Sequence, residues 1–557
     1  MDAPLKRTVE HERVANEAKH WVRLTAACNS KCVFCLDAEA QDGRFMSFED
    51  ICREIDRGRE DKGATRLVVS GGEATIHPRF HDCVRYGKQA GYRWVQTVTN
   101  GQKLADRDFF LRAVDAGLDE ITFSLHGHTA ALHDRLTKTK NGFDNLMKAM
   151  IRAVRDGRVV VNVDVCINRQ NVEHLEQIVA LCARVGVKEF DLLHVIPQGV
   201  AFDHREALFY DPDQHADALR RVFQLARRSD FHIWTNRFPL AHLEDVEELI
   251  QDPHKMLDEV GGRRVQFRRY LDRGEPIDCR DARRCPHCFI EPFCSSLDRH
   301  VRDQHAAAFD VWWVGDRHDR IDAMPCGARF AGVQGVPPDA KTPLYVRGWK
   351  GEPLPPGSRI VSTELLDTEH EVELHLDRDL CEQVLARGVR PNWILHAPTR
   401  ATMEEAARLD PDWAAFFRAL PPGARAQNLP ACLCPGARLE RPLRVLDAHL
   451  FHDDGRLAID AFVERYVEHE YRAKSLRCRQ CPADAFCEGG HVQSLRAHGF
   501  RQLRPLPADR DLADVRAAWS PGPRLAAGVA PQPASVRVEV AGNPPVPFVD
   551  TAPGRRS

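Results

Sequence analysis

The sequence predicts an α/β fold: a partial (β/α)6 TIM-like barrel of parallel strands, followed by cysteine-rich extensions and a mixed α+β segment. Three observations predict it. Apolar runs of strand length alternate with helical periodicity from about residue 16 to 230, polar segments follow each such strand, and most cysteines fall in tight groups. Regular strand–helix alternation implies parallel strands joined by right-handed crossovers. Six units are too few for an eight-stranded barrel, so the sheet is expected to stay open.

WVRLT, from Trp21 to Thr25, is the first strand, and CNSKCVFC leaves its end. Ser47 then caps a helix through SFEDICREIDRGRE that carries Ile51 and Ile55 on one face. TRLVVSG forms the second strand, with a helix from about Phe80 to Ala90, and WVQTVTNG the third, with a helix from Asp106 to Ala116. EITFSLHG forms the fourth, with a helix from Phe143 to Val154, and VVVNVDVCIN the fifth, with a helix from Val172 to Val185. KEFDLLHVIP is the sixth, followed by a helix from about Asp213 to Arg227. Parallel α/β folds place their active sites at the C-terminal ends of strands. CNSKCVFC, GGE, TNG, SLHGH, INRQN and PQG occupy those ends.

A length of 557 residues allows several domains. Apolar residues at 43% and charged residues at 29% are an ordinary soluble balance. A net charge of −3 advertises neither a nucleic-acid nor an anionic-membrane partner. No apolar run approaches a membrane span, and the N-terminal stretch lacks an apolar signal core. A cytoplasmic protein without nucleic-acid or membrane partners is therefore expected. In that setting 18 cysteines argue for metal or catalysis, not disulfides. Cys52, Cys83, Cys166, Cys182, Cys326 and Cys381 are scattered and read as buried structural thiols.

Cys28, Cys32 and Cys35 stand at CxxxCxxC spacing. Three thiolates this close can hold three corners of a 4Fe–4S cubane and leave the fourth iron open to a non-protein ligand. Zinc, the alternative, favours CxxC pairs and four protein ligands.

The order CNSKCVFC, SGGEATIHP, TNG and SLHG at successive strand ends resembles the radical S-adenosylmethionine (SAM) superfamily over about the first 200 residues. The resemblance implies an enzyme that uses a 4Fe–4S cluster to cleave SAM reductively to a 5′-deoxyadenosyl radical, which takes hydrogen from a substrate. It implies that Cys28, Cys32 and Cys35 ligate the catalytic cluster. It also implies that Gly71 and Gly72 let the backbone approach the methionyl part of SAM and that Glu73 receives its ammonium. Ser124 resembles a residue contacting the ribose or carboxylate, and Asn100 and Asn168 are further polar candidates. Ile196 resembles the position that packs on adenine, with ordinary strand core as the alternative. His126, His128 and His133 lack a fixed zinc geometry and read as rim contacts or loop-fixing hydrogen bonds.

CRDARRCPHCFIEPFC holds Cys279, Cys285, Cys288 and Cys294, and its CxxCx5C piece returns as CRQCPADAFC with Cys478, Cys481 and Cys487. This reads as an internal duplication, with Cys432 and Cys434 of LPACLCPG as candidates for a further ligand. Both pieces resemble the SPASM and twitch auxiliary-cluster extensions of radical SAM enzymes, which implies one or two auxiliary 4Fe–4S clusters. Those extensions often continue to a cysteine four residues on, where this chain has Asp298 and His491. Either His491 ligates or an upstream cysteine does. Structural zinc, even one ion shared by Cys285/Cys288 and Cys478/Cys481, is the alternative.

VWWVGD, PLYVRGW and VELHL read as short strands, and ATMEEAARL and PDWAAFFRAL as helices. The expected division is an N-terminal tail (1–15), the barrel (16–230), a first cysteine-rich module (231–300), a mixed α+β domain (301–430), a second, SPASM-like module (431–503) and a flexible Pro/Ala/Gly-rich tail (504–557). Enzymes with SPASM-like extensions frequently modify ribosomally made peptides, so a peptide is the first substrate class and oxidation of a small metabolite the alternative. An electron donor, a reductase with flavodoxin or a ferredoxin, is implied. With only about 20 residues before the first strand, leader recognition falls to 301–430 or to a separate peptide-binding protein. A non-catalytic iron–sulfur or zinc carrier, the reading of another class, leaves Glu73 without a purpose.

Overall fold

The computed structural model describes residues 18–37, 41–305, 312–313, 329–330, 345–351, 353–354, 356–442, 450, 452 and 457–519. The expected N-terminal tail, Cys326 and residues from 520 onward lie outside the described residues.

Seven strands form the first sheet in chain order: β1 (Lys19–Thr25), β2 (Arg66–Gly71), β3 (Trp94–Thr99), β4 (Glu120–Ser124), β5 (Val160–Ile167), β6 (Glu189–His194) and β7 (His232–Asn236). Every neighbouring pair is parallel, as crossover connections require. The partial barrel is thus one strand larger than the six units predicted. The seventh strand, HIWTN, is only five residues long and buries Ile233 and Thr235.

Burial alternates along β3, β5, β6 and β7, which sets two faces apart. On β5, Val161, Val163, Val165 and Ile167 are buried, whereas Asn162, Asp164 and Cys166 on the other face are half-buried. Ser47 caps the Phe48–Glu60 helix by accepting from Asp50 N, a contact worth about 1 kcal/mol. The helix Gly142–Asp156 buries Leu146, Ala149, Met150 and Ala153, a helical stripe along one side. An eight-residue helix, Ala130–Thr137, was not expected, and it turns out to support the cysteine loop. Arg66, Glu120 and Trp94 join at the start of the strands through Glu120 Oε2, 2.8 Å from both Arg66 Nη2 and Trp94 Nε1.

The region expected to be mixed α+β instead holds a second all-parallel sheet. After a short paired β8 (Trp312–Trp313) and β9 (Arg329–Phe330), six strands follow in chain order: β10 (Tyr345–Arg347), β11 (Arg359–Ser362), β12 (Glu371–His375), β13 (Trp393–His396), β14 (Arg425–Gln427) and β15 (Arg438–Glu440). Helices Arg378–Arg387, Met403–Leu409 and Trp413–Ala419 lie in its connections. Strands of three to five residues are too short to show periodicity, which is why the sequence reads as mixed. The sheet also runs past the boundary expected at 430, so Cys432 and Cys434 lie between β14 and β15.

Two further strands, β16 (Arg472–Ala473) and β17 (Gly490–His491), pair antiparallel. Residues 504–519, expected to begin a flexible tail, are held against this body. Ala513–Trp519 is helical with Val515 buried, and Asp514 accepts from Leu439 N of β15 at 3.1 Å. A few apolar contacts offset the disorder-prone composition there. Among the described residues no helix is long and apolar enough to cross a membrane.

Candidate active site

Cys28, Cys32 and Cys35 lie on the loop leaving β1. The loop is pinned to the Ala130–Thr137 helix by Lys31 N to Thr137 O (3.0 Å) and Val33 N to Leu136 O (2.9 Å). Ser30 Oγ accepts from Asn100 Nδ2 and Gln102 Nε2, each at 3.1 Å. The three thiols act on one another: burial, reinforced by Cys28 and Cys35, pushes the Cys32 thiol up, and burial raises Cys28 to about 11. Ionisation there requires a cation, which is what a metal centre supplies. Among the described residues no three cysteine sulfurs lie within 4.8 Å of one another. Ligands of one zinc ion bound at ~2.3 Å would stand about 3.8 Å apart. At least one pair of the three sulfurs therefore stands farther apart than two ligands of a single zinc ion.

The second strand end sits directly against this loop. Gly72 N donates to Thr25 O and Glu73 N to Ala27 O, each at 2.9 Å. A Cβ on Gly71 would collide with Thr25 O, and one on Gly72 with Ala27 O. The glycine pair therefore has a packing reason in the chain itself: it lets β2 close on the cysteine loop. Glu73 is 2% exposed. Its Oε1 accepts from Thr75 N (3.1 Å), Thr75 Oγ1 (2.5 Å) and Thr99 Oγ1 (2.7 Å), and its Oε2 from Asn100 N (2.7 Å). Burial pushes its pKa up while these four donors pull it down. Among the described residues no cationic side chain pairs with it. Asn100, donating to Asn29 Oδ1 at 2.7 Å as well, ties Glu73 to the cysteine loop.

Ser124 ends β4 beside Asp164 of β5. Burial raises Asp164 to about 7, with the Ser124 hydroxyl pulling the other way, and burial raises Asp191 of β6 to about 6. Asn162 Oδ1, Asp164 Oδ1, Asp191 Oδ1 and Asn236 Oδ1 are buried without hydrogen-bond partners among the described residues. These inward polar groups were not singled out from the sequence. The signal was present as polar residues at every second position of NVDV and EFD in otherwise apolar strands. Asn168 is fully buried and bonded within its own turn, donating to Cys166 O and accepting from Gln170 N. Ile196 is 3% exposed just beyond β6. His126 and His133 fix the loop: His126 Nδ1 accepts from Cys166 N, and His133 Nδ1 from His126 N, both at 3.2 Å.

Residues 22–182 match the family described as the Radical SAM superfamily. The barrel is a radical SAM domain. Curated relatives bear the name "Probable GTP 3',8-cyclase". That of Saccharolobus islandicus is 32% identical over 180 residues, covering 32% of this chain and 57% of the relative. That of Sulfurisphaera tokodaii is 27% identical over 191 residues, covering 34% and 60%. The chain thus spans under two thirds of the relatives' length. Among solved structures, Streptococcus suis SuiB bound to precursor peptide SuiA gives a TM-score of 0.35 at 15% identity, over 44% of this chain and 55% of that one. Native anSMEcpe with bound AdoMet and Kp18Cys peptide gives 0.33 at 15%, over 39% and 63%. Likeness that slight says nothing about substrate.

The β6 loop joins the radical SAM domain to the first cysteine group. Gly199, at φ +53°, presses on the cysteine loop so closely that a Cβ would strike Cys35 O, and Val200 N donates to that oxygen at 3.2 Å. Gly199→Ala is expected to displace Cys35 and to cost about 1–3 kcal/mol. Thermal denaturation and retained iron check this. On its other side the loop meets Arg263, whose Nε lies 2.9 Å from the Gln198 amide oxygen and whose Nη1 lies 4.0 Å from Cys279 Sγ. Cys279, Cys288 and the buried Cys294 interact with one another, and Cys285 is on the turn leading to Cys288. Asp298 is not available as a ligand, since Arg280 and Tyr270 hold it at 2.5 and 2.6 Å.

In the second group Cys432, Cys478, Cys481 and Cys487 line one small cavity. Cys434, an equal candidate by sequence, turns its sulfur to Pro430 O at 3.4 Å and is absent from that lining. His491 is likewise outside it, with Nε2 held at 3.1 Å from Val467 O. Backbone direction through the Ala431–Leu433 turn, invisible in LPACLCPG, separates the two cysteines. The module docks on the radical SAM domain through Arg477–Glu244 (2.7 Å) and Arg479–Asp213 (2.5 Å). Of the scattered cysteines, Cys83, Cys182 and Cys381 are buried, and Cys52 and Cys166 are partly so.

Proposed function

We propose that this chain is a SAM-dependent radical enzyme that cleaves SAM reductively and modifies a peptide, with two auxiliary clusters. One observation carries the reading: a buried carboxylate without a cationic partner among the described residues, Glu73, stands one residue from a glycine pair packed on a three-thiol loop. Cys28, Cys32 and Cys35 would hold a 4Fe–4S cluster, which when bound would supply the electron for reductive cleavage of SAM to methionine and a 5′-deoxyadenosyl radical. The rest is positioning by the chain. Glu73 receives the SAM ammonium, and its four hydrogen bonds keep the carboxylate aimed. Ser124 and the Asp164 beside it offer polar contacts to the ribose or carboxylate, and Ile196 packs on adenine. Asn100 holds the cysteine loop and Glu73 at a fixed separation.

Cys279, Cys285, Cys288 and Cys294 hold one auxiliary cluster, and Cys432, Cys478, Cys481 and Cys487 the other. The first of these is linked to the cysteine loop of the barrel by contacts through Arg263, Gln198 and Gly199. An electron donor such as a flavodoxin or ferredoxin recharges the system. Cys432→Ala is expected to lower bound iron by one cluster's worth, while Cys434→Ala leaves iron and sulfide unchanged. Metal analysis of both reconstituted variants checks this, and parent-like iron in Cys432→Ala would remove Cys432 from the ligand set.

The peptide assignment is supported by the two SPASM-like cysteine sets. A second reading, a nucleotide substrate, is favoured by the cyclase name of the relatives that match the radical SAM domain. The deciding experiment adds GTP, or a peptide encoded beside the gene, to the reduced enzyme with SAM. A mass change in the peptide with GTP left intact is expected. Consumption of GTP coupled to 5′-deoxyadenosine would replace the peptide reading.

A further inference from the structure

The second parallel sheet ends in a side-chain cluster that the SAM site does not use. β12 and β13 pair so that His375 lies beside His396, and Gln427 of β14 lies beside His396 in turn. Directly paired residues of parallel strands project to one face, and residues two apart on a strand share it. Glu373 therefore joins the row from one step below. All four stand at or near the carboxyl ends of their strands, where parallel α/β folds bind ligands. They line a cavity of about 710 Å³.

Glu373 Oε1 is 2.9 Å from His375 Nε2 and 3.6 Å from His396 Nδ1. The donor atoms of the three residues all lie within 4.8 Å of one another, the one such group among the described residues. A tetrahedral ion bound at ~2.0–2.1 Å holds its ligand atoms about 3.3 Å apart, within reach of small side-chain rotations. Two buried atoms of the row, His396 Nδ1 and Gln427 Oε1, make no hydrogen bond of good geometry among the described residues, although the two side chains lie close enough to act on each other. A merely hydrogen-bonded Glu–His–His cluster would leave both poorly satisfied, against the general rule for buried polar atoms. Arg359 Nη1, 3.4 Å from Glu373 Oε2, orients the carboxylate and leaves Oε1 toward the imidazoles.

We propose that Glu373, His375 and His396 bind a mononuclear divalent first-row transition ion, zinc(II) or iron(II), whose remaining coordination positions open to the cavity. Two imidazoles and one carboxylate suit these ions, whereas magnesium and calcium prefer oxygen ligands throughout. The open positions take water or an oxygen donor of a small ligand, which gives the second sheet a binding site of its own.

The test uses the full chain, anaerobically reconstituted, given Zn²⁺ or Fe²⁺ and then desalted, with zinc, iron and sulfide measured. The parent is expected to keep one zinc, or one iron in excess of sulfide, per chain. Glu373→Gln and His396→Ala are each expected to weaken retention at least about tenfold with sulfide unchanged. A parent that keeps neither metal, or variants that retain as much as the parent, overturns the site. Zinc K-edge absorption on the parent decides independently of any variant's folding: a nitrogen and oxygen shell with imidazole scattering is expected, and sulfur ligation overturns it.

Discussion

Cys32→Ala is expected to abolish 5′-deoxyadenosine formation while iron stays bound in the C-terminal half. Cys32 stands between its two partners on a loop fastened by Lys31 and Val33 to the Ala130–Thr137 helix, so the loop keeps its course without the thiol. What goes is one corner of a three-thiolate site, and such a site has no spare ligand. The cysteine sets at 279–294 and 432–487 rest on other elements and do not depend on it. Iron and sulfide analysis with a SAM-cleavage assay checks both halves of the expectation. Loss of all iron would instead show that the later cysteines hold none.

Glu73→Gln is the second large effect. The substitution keeps size but removes the charge, and it turns an amide N–H₂ toward a donor already aimed at a carboxylate oxygen, either Thr75 N at Oε1 or Asn100 N at Oε2. Loss of a charge-assisted contact to the SAM ammonium is worth about 1.5–3 kcal/mol, roughly a 10- to 150-fold weaker SAM affinity. The cluster ligands are untouched, so iron content should match the parent. Equilibrium SAM binding to the reconstituted variant measures this. Parent-like affinity would revive the reading of a non-catalytic iron–sulfur carrier.

The barrel was legible because six of its strands are rich in apolar and β-branched residues, alternate with helical periodicity, and each ends in a polar segment. β7 was missed because HIWTN is only five residues long and is followed by short turns of helix, not by another strand–helix unit. The second sheet was missed because no strand in it exceeds five residues, too few for period-two alternation to stand out. Motif spacing offered Cys28, Cys32, Cys35 and Glu73, which the fold brings to adjoining strand ends. It could not separate Cys432 from Cys434, because which sulfur enters the cavity depends on a turn's direction. It offered Asn168, which the structure shows bonded within its own turn. It passed over Glu373, His375 and His396, which 23 residues of chain spread over two strands and only strand pairing brings together.

The most direct test of the account is iron, sulfide and 5′-deoxyadenosine measured together on the anaerobically reconstituted protein, with dithionite and SAM supplied. About twelve cluster irons per chain, with deoxyadenosine formed, is the predicted result. Full iron loading and confirmed reduction without deoxyadenosine would contradict it, and would leave the protein an iron–sulfur carrier built on a radical SAM domain.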